Sequence, residues 1–299
     1  MTPLTIGTRG SQLAMTQAQA IADRLAATSG REVKLVPIST QGDRDQASPL
    51  ESLGGQGVFV AALREAVLAG EVDLAVHSLK DLPTAPHPGL LLAAIPLRAD
   101  PRDAVVARDG LTLGELPAGS RVGTGSPRRV AQINALGLGL DVLPIRGNVD
   151  TRLGKVASGE YDAVIVALAG LVRLSRADEA TELLDPIQIL PAPGQGALAC
   201  ECRVDDDATA QILAVLDDPD TRSAVTAERS LLATMEAGCT APIGALAEVV
   251  SGDGGDELWL RGVVADISGT PIVRLSATGS PNDPAGVGER LAAELLASA

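Results

Sequence analysis

Leu4-Thr5-Ile6-Gly7-Thr8-Arg9-Gly10-Ser11 is the stretch whose reading decides the fold. Leu4 to Thr8 is an apolar run of strand length. Ser11 stands where a helix N-cap belongs, ahead of a helical pattern from about Gln12 to Thr28 that Gly30 closes. Val33 to Thr40 then reads as a second strand, Val58 to Ala69 as a second helix and Val72 to Val76 as a third strand. Strands alternating with helices in this way build a mostly parallel sheet covered by helices.

The pattern repeats beyond Pro96 and Pro101. Asp103 to Ala107 and Arg121 to Thr124 read as strands, and Ser126-Pro127 opens a helix with a capping hydroxyl and a proline at its first position. Asp141 to Ile145 is the next strand, Val149 to Ala157 the next helix, and Ala163 to Ala167 a fully buried strand. Two α/β units in tandem are expected to bind ligands beyond the carboxyl ends of their strands. That singles out Arg9, Ser78 to Asp81, Thr124 to Arg129 and Arg146 to Arg152. The last third differs. A helix over Asp220 to Glu236 leads through Gly238-Cys239-Thr240 to strand-like runs at Ile243 to Val250, Glu257 to Ala265 and Ile272 to Ala277, with a final helix near Pro284 to Ala297. Strands in series with short turns imply a smaller α+β domain around an antiparallel sheet.

Composition narrows the function. Of 299 residues 45% are apolar, yet Phe59, Tyr161 and Trp259 are the only aromatics, so the core is aliphatic and sites built on ring stacking are disfavoured. A formal net charge of −14 repels a phosphate backbone, and no nucleic-acid partner is expected. Met1 to Ala20 lacks a basic start followed by an apolar stretch. The longest apolar runs, Ala163 to Val172 and Gly89 to Leu97, fall short of the ~18 residues a membrane helix needs. A cytoplasmic protein with no membrane partner is expected. Cys200, Cys202 and Cys239 make an odd count for a disulfide framework, and with two histidines and no Cys-x-x-Cys pair no metal site is expected. Gly54-Gly55-Gln56-Gly57 and Gly194-Gln195-Gly196 match neither a Walker A loop nor a dinucleotide fingerprint.

Three features carry chemistry. Between Arg121 and Ser175 seven cationic side chains face four acidic ones, a local excess of +3 in an acidic chain. Arginine at strand-to-helix turns suits a substrate with several carboxylates, although Arg121 and Lys155 also read as ordinary surface charge. For Arg128-Arg129 and Arg146 the functional reading leads, because adjacent like charges at a turn are unfavourable without an anion. Cys239 reads either as a reactive thiol in a loop or as a small buried hydrophobe. Cys200 and Cys202, two apart on a strand, share a face and read as packing residues. In His77-Ser78-Leu79-Lys80-Asp81 a buried strand ends in polar residues, which suits either charge stabilisation by Asp81 or a solvated ion pair.

The chain resembles the porphobilinogen deaminase (hydroxymethylbilane synthase) family. The blocks that carry the resemblance begin with Ile6-Gly7-Thr8-Arg9-Gly10-Ser11 and Val76-His77-Ser78-Leu79-Lys80-Asp81-Leu82-Pro83. They continue through Asp100-Pro101-Arg102-Asp103-Ala104, Gly123-Thr124-Gly125-Ser126-Pro127-Arg128-Arg129 and Arg146-Gly147-Asn148-Val149-Asp150-Thr151-Arg152-Leu153. Leu190-Pro191-Ala192-Pro193-Gly194-Gln195-Gly196-Ala197 and Glu236-Ala237-Gly238-Cys239-Thr240-Ala241-Pro242-Ile243-Gly244 complete the series. Seven blocks in the family's order span essentially the whole chain.

The resemblance implies two α/β lobes like those of periplasmic binding proteins, residues 1–96 with 197–215 and residues 97–196, plus a small C-terminal α+β domain over 216–299. It also implies a monomer with a dipyrromethane cofactor covalently attached to Cys239. Four porphobilinogen units add to this primer with loss of ammonia, each through an electrophilic azafulvene that the terminal pyrrole attacks, and hydrolysis then releases hydroxymethylbilane. Asp81 would hold pyrrole N–H groups and stabilise developing positive charge. Arg9, a catalytic residue beside Asp81 on this resemblance, would with Ser11 and Gln17 nearby face the reacting ring and assist proton handling. Ser78, Lys80, Thr124, Ser126, Arg128 and Arg129 match positions that hold cofactor carboxylates, and Arg146, Arg152 and Arg173 those that hold incoming or elongated rings. The chain departs from the family pattern at Gln56, where lysine is frequent, and at Gly125, where serine is usual. A binding protein that merely sequesters an anion in the same cleft would not need Cys239, and a thiol oxidoreductase is disfavoured by the lack of Cys-x-x-Cys.

Overall fold

The protein is described by a computed structural model over residues 3–39, 57–235, 242–252 and 254–298, with side chains from Val60 onward in the second stretch. Cys239, Gln56 and the expected end of the second strand at Thr40 lie outside the described residues. In chain order the elements are β1 (Leu4–Arg9), α1 (Gln12–Ser29), β2 (Val33–Ile38), α2 (Gly57–Leu68), β3 (Leu74–Ser78), β4 (Leu90–Ala94), β5 (Asp103–Ala107), β6 (Arg121–Gly123), α3 (Pro127–Ala135) and β7 (Asp141–Leu143). Then come α4 (Val149–Ala157), β8 (Ala163–Ala167), α5 (Leu168–Arg173), β9 (Glu182–Leu183), β10 (Leu198–Arg203), α6 (Asp207–Ala214) and α7 (Pro219–Thr234). The chain closes with β11 (Ile243–Gly252), β12 (Gly255–Ala265), β13 (Ile272–Gly279) and α8 (Pro284–Ser298).

These elements fall into two compact units, Met1–Ala99 with Ala197–Arg222 and Asp100–Gly196 with Ser223–Ala299. The first holds a five-stranded sheet ordered β2-β1-β3-β10-β4. Ser11 caps α1 by accepting from the Ala14 N–H, and Gly30 closes it in the left-handed region at φ 66°, where a glycine is unstrained. Ile21 and Leu25 of α1 pack with Leu4, Ile6, Leu74, Val76, Cys200 and Cys202 on one face of the sheet. Leu63, Val67, Val72 and Ala75 cover the other. Leu25 is fully buried, so its truncation to alanine would cost about 2–5 kcal/mol. Both cysteines sit in this core as packing residues, and burial pushes their thiols up, Cys200 to about 12 and Cys202 to about 11.

Each five-stranded sheet is mostly parallel, as expected, with four strands running one way and a single strand against them. β1 runs parallel to β2 and β3, but β10 is antiparallel to both β3 and β4. In the second unit, ordered β7-β6-β8-β5-β9, β6 is parallel to β7 and β8 while β5 is antiparallel to β8 and β9. Strand direction is set by long-range chain return, and local apolar patterning does not encode it.

The third sheet, β11-β12-β13, is antiparallel as expected and is backed by α7 and α8 through Leu231, Leu258, Leu260, Leu291 and Leu295. It belongs to the same compact unit as the second sheet, so the boundary falls at Arg222. Hydrogen bonds explain this grouping. Glu228, fully buried on α7, accepts from the Gly194 N–H at 2.6 Å and the Ala247 N–H at 2.9 Å. Arg274 of β13 donates to the Gln188 carbonyl at 2.6 Å and to Gln132 of α3 at 2.9 Å. Leu190 packs with Leu246 and Val263.

Candidate active site

In the first unit the candidate residues collect where β1 and β3 end. These strands are parallel neighbours, with Ile6 opposite Leu74 and Gly7 opposite Ala75, so both deliver their carboxyl ends to one edge. Arg9 closes β1 and Ser11 caps α1. From the second turn of α1 the buried Gln17 donates its amide to the Ser78 hydroxyl at 3.1 Å, which ties helix to strand end. Ser78 then leads into a 3-10 turn over Leu79–Asp81, closed by the Leu82 N–H on the Leu79 carbonyl at 3.1 Å and anchored by the Leu79 N–H on the Ala197 carbonyl at 3.0 Å. The buried Leu79 pins the turn, which leaves Lys80 and Asp81 half-buried at the sheet edge. The Asp81 carboxylate takes part in no hydrogen bond or ion pair among the described residues. Of the sequence-nominated residues, the fold brings together Arg9, Ser11, Gln17, Ser78, Lys80 and Asp81.

Behind that edge lies a charged cluster that sequence reasoning missed. Glu201 of β10 accepts from Arg64 Nε at 2.9 Å and Nη2 at 2.8 Å, and His77 Nε2 lies 3.4 Å from the same carboxylate. All three side chains are largely buried.

In the second unit the candidates follow β6, β7 and β8. Thr124, Gly125 and Ser126 join β6 to α3. Ser126 occupies the cap position, but its hydroxyl caps no backbone N–H, contrary to expectation. Its own N–H instead donates to the Thr124 hydroxyl at 3.2 Å, so threonine organises this turn. A Cβ on Gly125 would come 3.0 Å from the Ile145 carbonyl, so a serine there needs the loop to yield by a few tenths of an ångström.

Arg128 and Arg129 are not displayed at the surface. They are 3% and 5% exposed, and the anion between them is Asp103, at 0%. Arg128 donates to one Asp103 oxygen at 2.9 Å and to the Leu190 carbonyl at 2.5 Å. Arg129 donates to the other oxygen at 2.6 Å and to the Ile165 carbonyl at 2.9 Å. Gln195 adds a bond to Asp103 at 2.7 Å and another to the Pro101 carbonyl at 2.7 Å. Burial opposes the charge on Asp103, but Arg128 and Arg129 outweigh it and hold the carboxyl well below the ordinary carboxylate range. Burial lowers the proton affinity of Arg128. Both Nε atoms are buried donors without a hydrogen-bond partner, and two guanidinium charges share one carboxylate. The expectation that adjacent arginines need an anion is met by a residue of the chain, with one positive charge left over.

The turn from β7 to α4 carries Arg146, and the first turn of α4 carries Arg152. Gly147 sits at φ +107°, and a Cβ there would meet Thr151 at 2.7 Å, so only glycine fits. Asn148 caps α4 by accepting from the Thr151 N–H at 2.9 Å, and Arg152 Nε donates back to the Gly147 carbonyl at 2.9 Å. Burial, then the nearby charges of Arg129 and Arg146, pull Arg152 down to about 10. Arg173, which ends α5, is pulled down to about 10 by burial and donates to the Gly196 carbonyl at 2.7 Å. Arg121 and Lys155 form exposed ion pairs with Asp162 and Glu160, in keeping with surface charge. No group of metal-ligating side chains occurs among the described residues. No helix among them is long and apolar enough to cross a membrane.

Within the second unit, arginines near strand-to-helix turns suit carboxylate groups; within the first, a half-buried carboxylate on a 3-10 turn suits developing positive charge. Among solved structures, a periplasmic substrate-binding protein of an ABC transporter from Coxiella burnetii aligns with 72% of this chain and 92% of its own, at 13% identity and a TM-score of 0.46. The porphobilinogen deaminase of Nocardia farcinica is 59% identical over 99% of this chain and 86% of its own length. That of Mycobacterium tuberculosis is 61% identical over 98% of this chain and 96% of its own. Residues 4–211 match the family described as "Porphobilinogen deaminase, dipyromethane cofactor binding domain" and residues 223–297 the one described as "Porphobilinogen deaminase, C-terminal domain". With both domain families matched in order along nearly its full length, the chain belongs to the porphobilinogen deaminase family.

Proposed function

We propose that the protein is a transferase that adds four porphobilinogen units, one at a time with loss of ammonia, to a dipyrromethane primer on Cys239, and then releases hydroxymethylbilane by hydrolysis. The observation that carries this reading is the Asp103, Arg128 and Arg129 cluster. Two buried guanidiniums share one carboxylate, and each keeps a buried Nε–H without a partner. A carboxylate is the acceptor such donors bond best, and the primer carries acetate and propionate arms, so the residues fit it. When bound, the primer supplies the terminal pyrrole to which each new unit is joined.

The chain's own residues do the rest. Arg128 and Arg129, with Thr124 and Ser126 on the preceding turn and Ser78 and Lys80 on the first unit, hold primer carboxylates. Arg146, Arg152 and Arg173 receive the carboxylates of incoming and elongated rings. The depressed proton affinities of Arg152 and Arg173 support this role, because an arriving anion offsets both burial and like-charge repulsion. Asp81 accepts pyrrole N–H bonds and stabilises the positive charge that develops during deamination and coupling, and its lack of a partner among the described residues supports that assignment. Arg9, Ser11 and Gln17 position the reacting ring, Gln17 by fixing Ser78.

We assign residues 1–96 with 197–215 to a first domain, 97–196 to a second and 216–299 to a third that carries the primer cysteine. We infer a cytoplasmic monomer. Intact-mass spectrometry tests the reading: the purified chain is expected to carry an adduct of two pyrrole units that is absent from Cys239→Ser, and to consume porphobilinogen. An unmodified wild-type chain that does not turn over porphobilinogen overturns it.

A further inference from the structure

We propose that Asp103 is a positioning residue for primer acquisition: it holds Arg128 and Arg129 in register before any primer is present, and it has no part in ring coupling. This inference rests on the function proposed above.

The carboxylate sits at the first residue of β5 and is completely buried. Each of its oxygens serves a different arginine, at 2.9 and 2.6 Å, so the two guanidiniums are spaced by the width of one carboxylate. The far ends of both arginines are pinned to main-chain carbonyls, Leu190 and Ile165. The Nε atom of each is a buried donor with no partner. Asp103 is itself held by Gln195, which lies between Gly194 at φ 75° and Gly196 at φ 88° and also reaches the Pro101 carbonyl. Without Asp103, two adjacent buried cations at the start of α3 would repel one another, with only the Leu190 and Ile165 carbonyls to hold their present rotamers. With it, the pair carries one net positive charge and two unpartnered Nε donors, a charge balance that favours one incoming carboxylate. No reacting atom has to touch Asp103 for this to matter.

The test uses primer-free protein, produced in cells unable to make porphobilinogen and then supplied with it. Intact mass follows the appearance of the two-pyrrole adduct, and turnover is measured per loaded molecule. In Asp103→Asn the folded fraction is expected to acquire the adduct slower by about 30-fold or more, the range for removing one partner of a buried charge pair. Turnover of the molecules that do load stays within about threefold of wild type, because chemistry occurs elsewhere. A merely structural role would reduce the folded fraction and leave the loading rate of folded molecules unchanged, and that result overturns the proposal. Equal losses in loading and in loaded turnover overturn it too. If Asp103→Asn does not accumulate as folded protein, Asp103→Glu decides. It keeps the charge but displaces it by one methylene, so slower loading with unchanged loaded turnover supports the proposal, and loading at the wild-type rate overturns it. Failure of the wild-type chain itself to gain an adduct counts against the proposed function, and so is distinguishable from failure of this inference.

Discussion

Replacing Glu201 by glutamine keeps the shape of the side chain and removes its charge from the Arg64 and His77 cluster. The magnitude follows from the geometry. Burial works against the charge on Glu201, but the adjacent His77 and the paired hydrogen bonds and charge of Arg64 outweigh it and hold the carboxyl at about 2 against an ordinary 4.5. At ~1.4 kcal/mol for each tenfold change in proton affinity, that difference is worth about 3 kcal/mol of folding stability near neutral pH. The figure agrees with the ~3–5 kcal/mol expected when one partner of a buried pair is removed. For a chain of this size, at about 2–3 °C per kcal/mol, Glu201→Gln should lower the melting temperature by roughly 6–9 °C. The pH dependence has a definite sign. A depressed carboxyl stabilises fully above its unfolded value near 4.5 and loses that contribution as pH falls through about 2, so the gap between wild type and variant is constant from pH 7 to about 5.5 and about half as large at pH 3. Scanning calorimetry at pH 7, 5.5, 4 and 3 reads this directly. A fall of less than about 2 °C at pH 7, or a gap that is undiminished at pH 3, refutes the reasoning.

Asp81→Ala should leave the melting temperature within about 2 °C, since the half-buried carboxylate has no partner to lose among the described residues, while removing most porphobilinogen turnover; near-normal turnover would rule out its proposed role. Gly147→Ala forces a side chain into φ +107° and onto Thr151, so a loss of about 1–3 kcal/mol in denaturant unfolding is expected, together with a raised KM from the displaced Arg146 and Arg152. Cys200 and Cys202, with thiols near 12 and 11, should be inert to a disulfide reagent at pH 8 in the native protein and reactive after unfolding; rapid native labelling of either would contradict their burial.

Much of the architecture is legible locally because the signals are local. Ser11 and Gly30 bracket α1 at the positions the cap residues mark, and β5, α4 and β8 begin and end where apolar periodicity starts and stops. Strand direction is a different matter: β10 is no different in composition whether it enters the sheet parallel or antiparallel. The Arg128-Arg129 pair was legible as a demand for an anion. Its first satisfaction by Asp103, 25 residues upstream on strand β5, depends on tertiary structure. Glu228 carried a readable signal. It lies four residues after Ala224 and three before Leu231, on the apolar stripe of α7, where an acid must find buried donors. The Ser126 hydroxyl caps nothing because the Arg129 N–H, three residues on, goes to the Ser126 carbonyl at 3.0 Å instead. The Glu201 cluster had no local signature, since Arg64, His77 and Glu201 come from three separate elements.

The place of β10 within the first sheet bears on how the protein is made. It lies between β3 and β4, yet 119 residues separate Ser78 from Leu198 in the sequence. A ribosome adding about 5–20 residues per second needs roughly 6–24 s to bridge that interval. Throughout it, β3 has emerged with an unpaired edge and an apolar sequence, Leu74-Ala75-Val76, while β4 has no neighbour to join. The second sheet, whose strands all fall between Asp103 and Leu183, is complete first. The first sheet, though its first strands are made earliest, therefore closes after the second, and a nascent-chain chaperone that shields the β3 edge during that interval would raise the yield of folded protein.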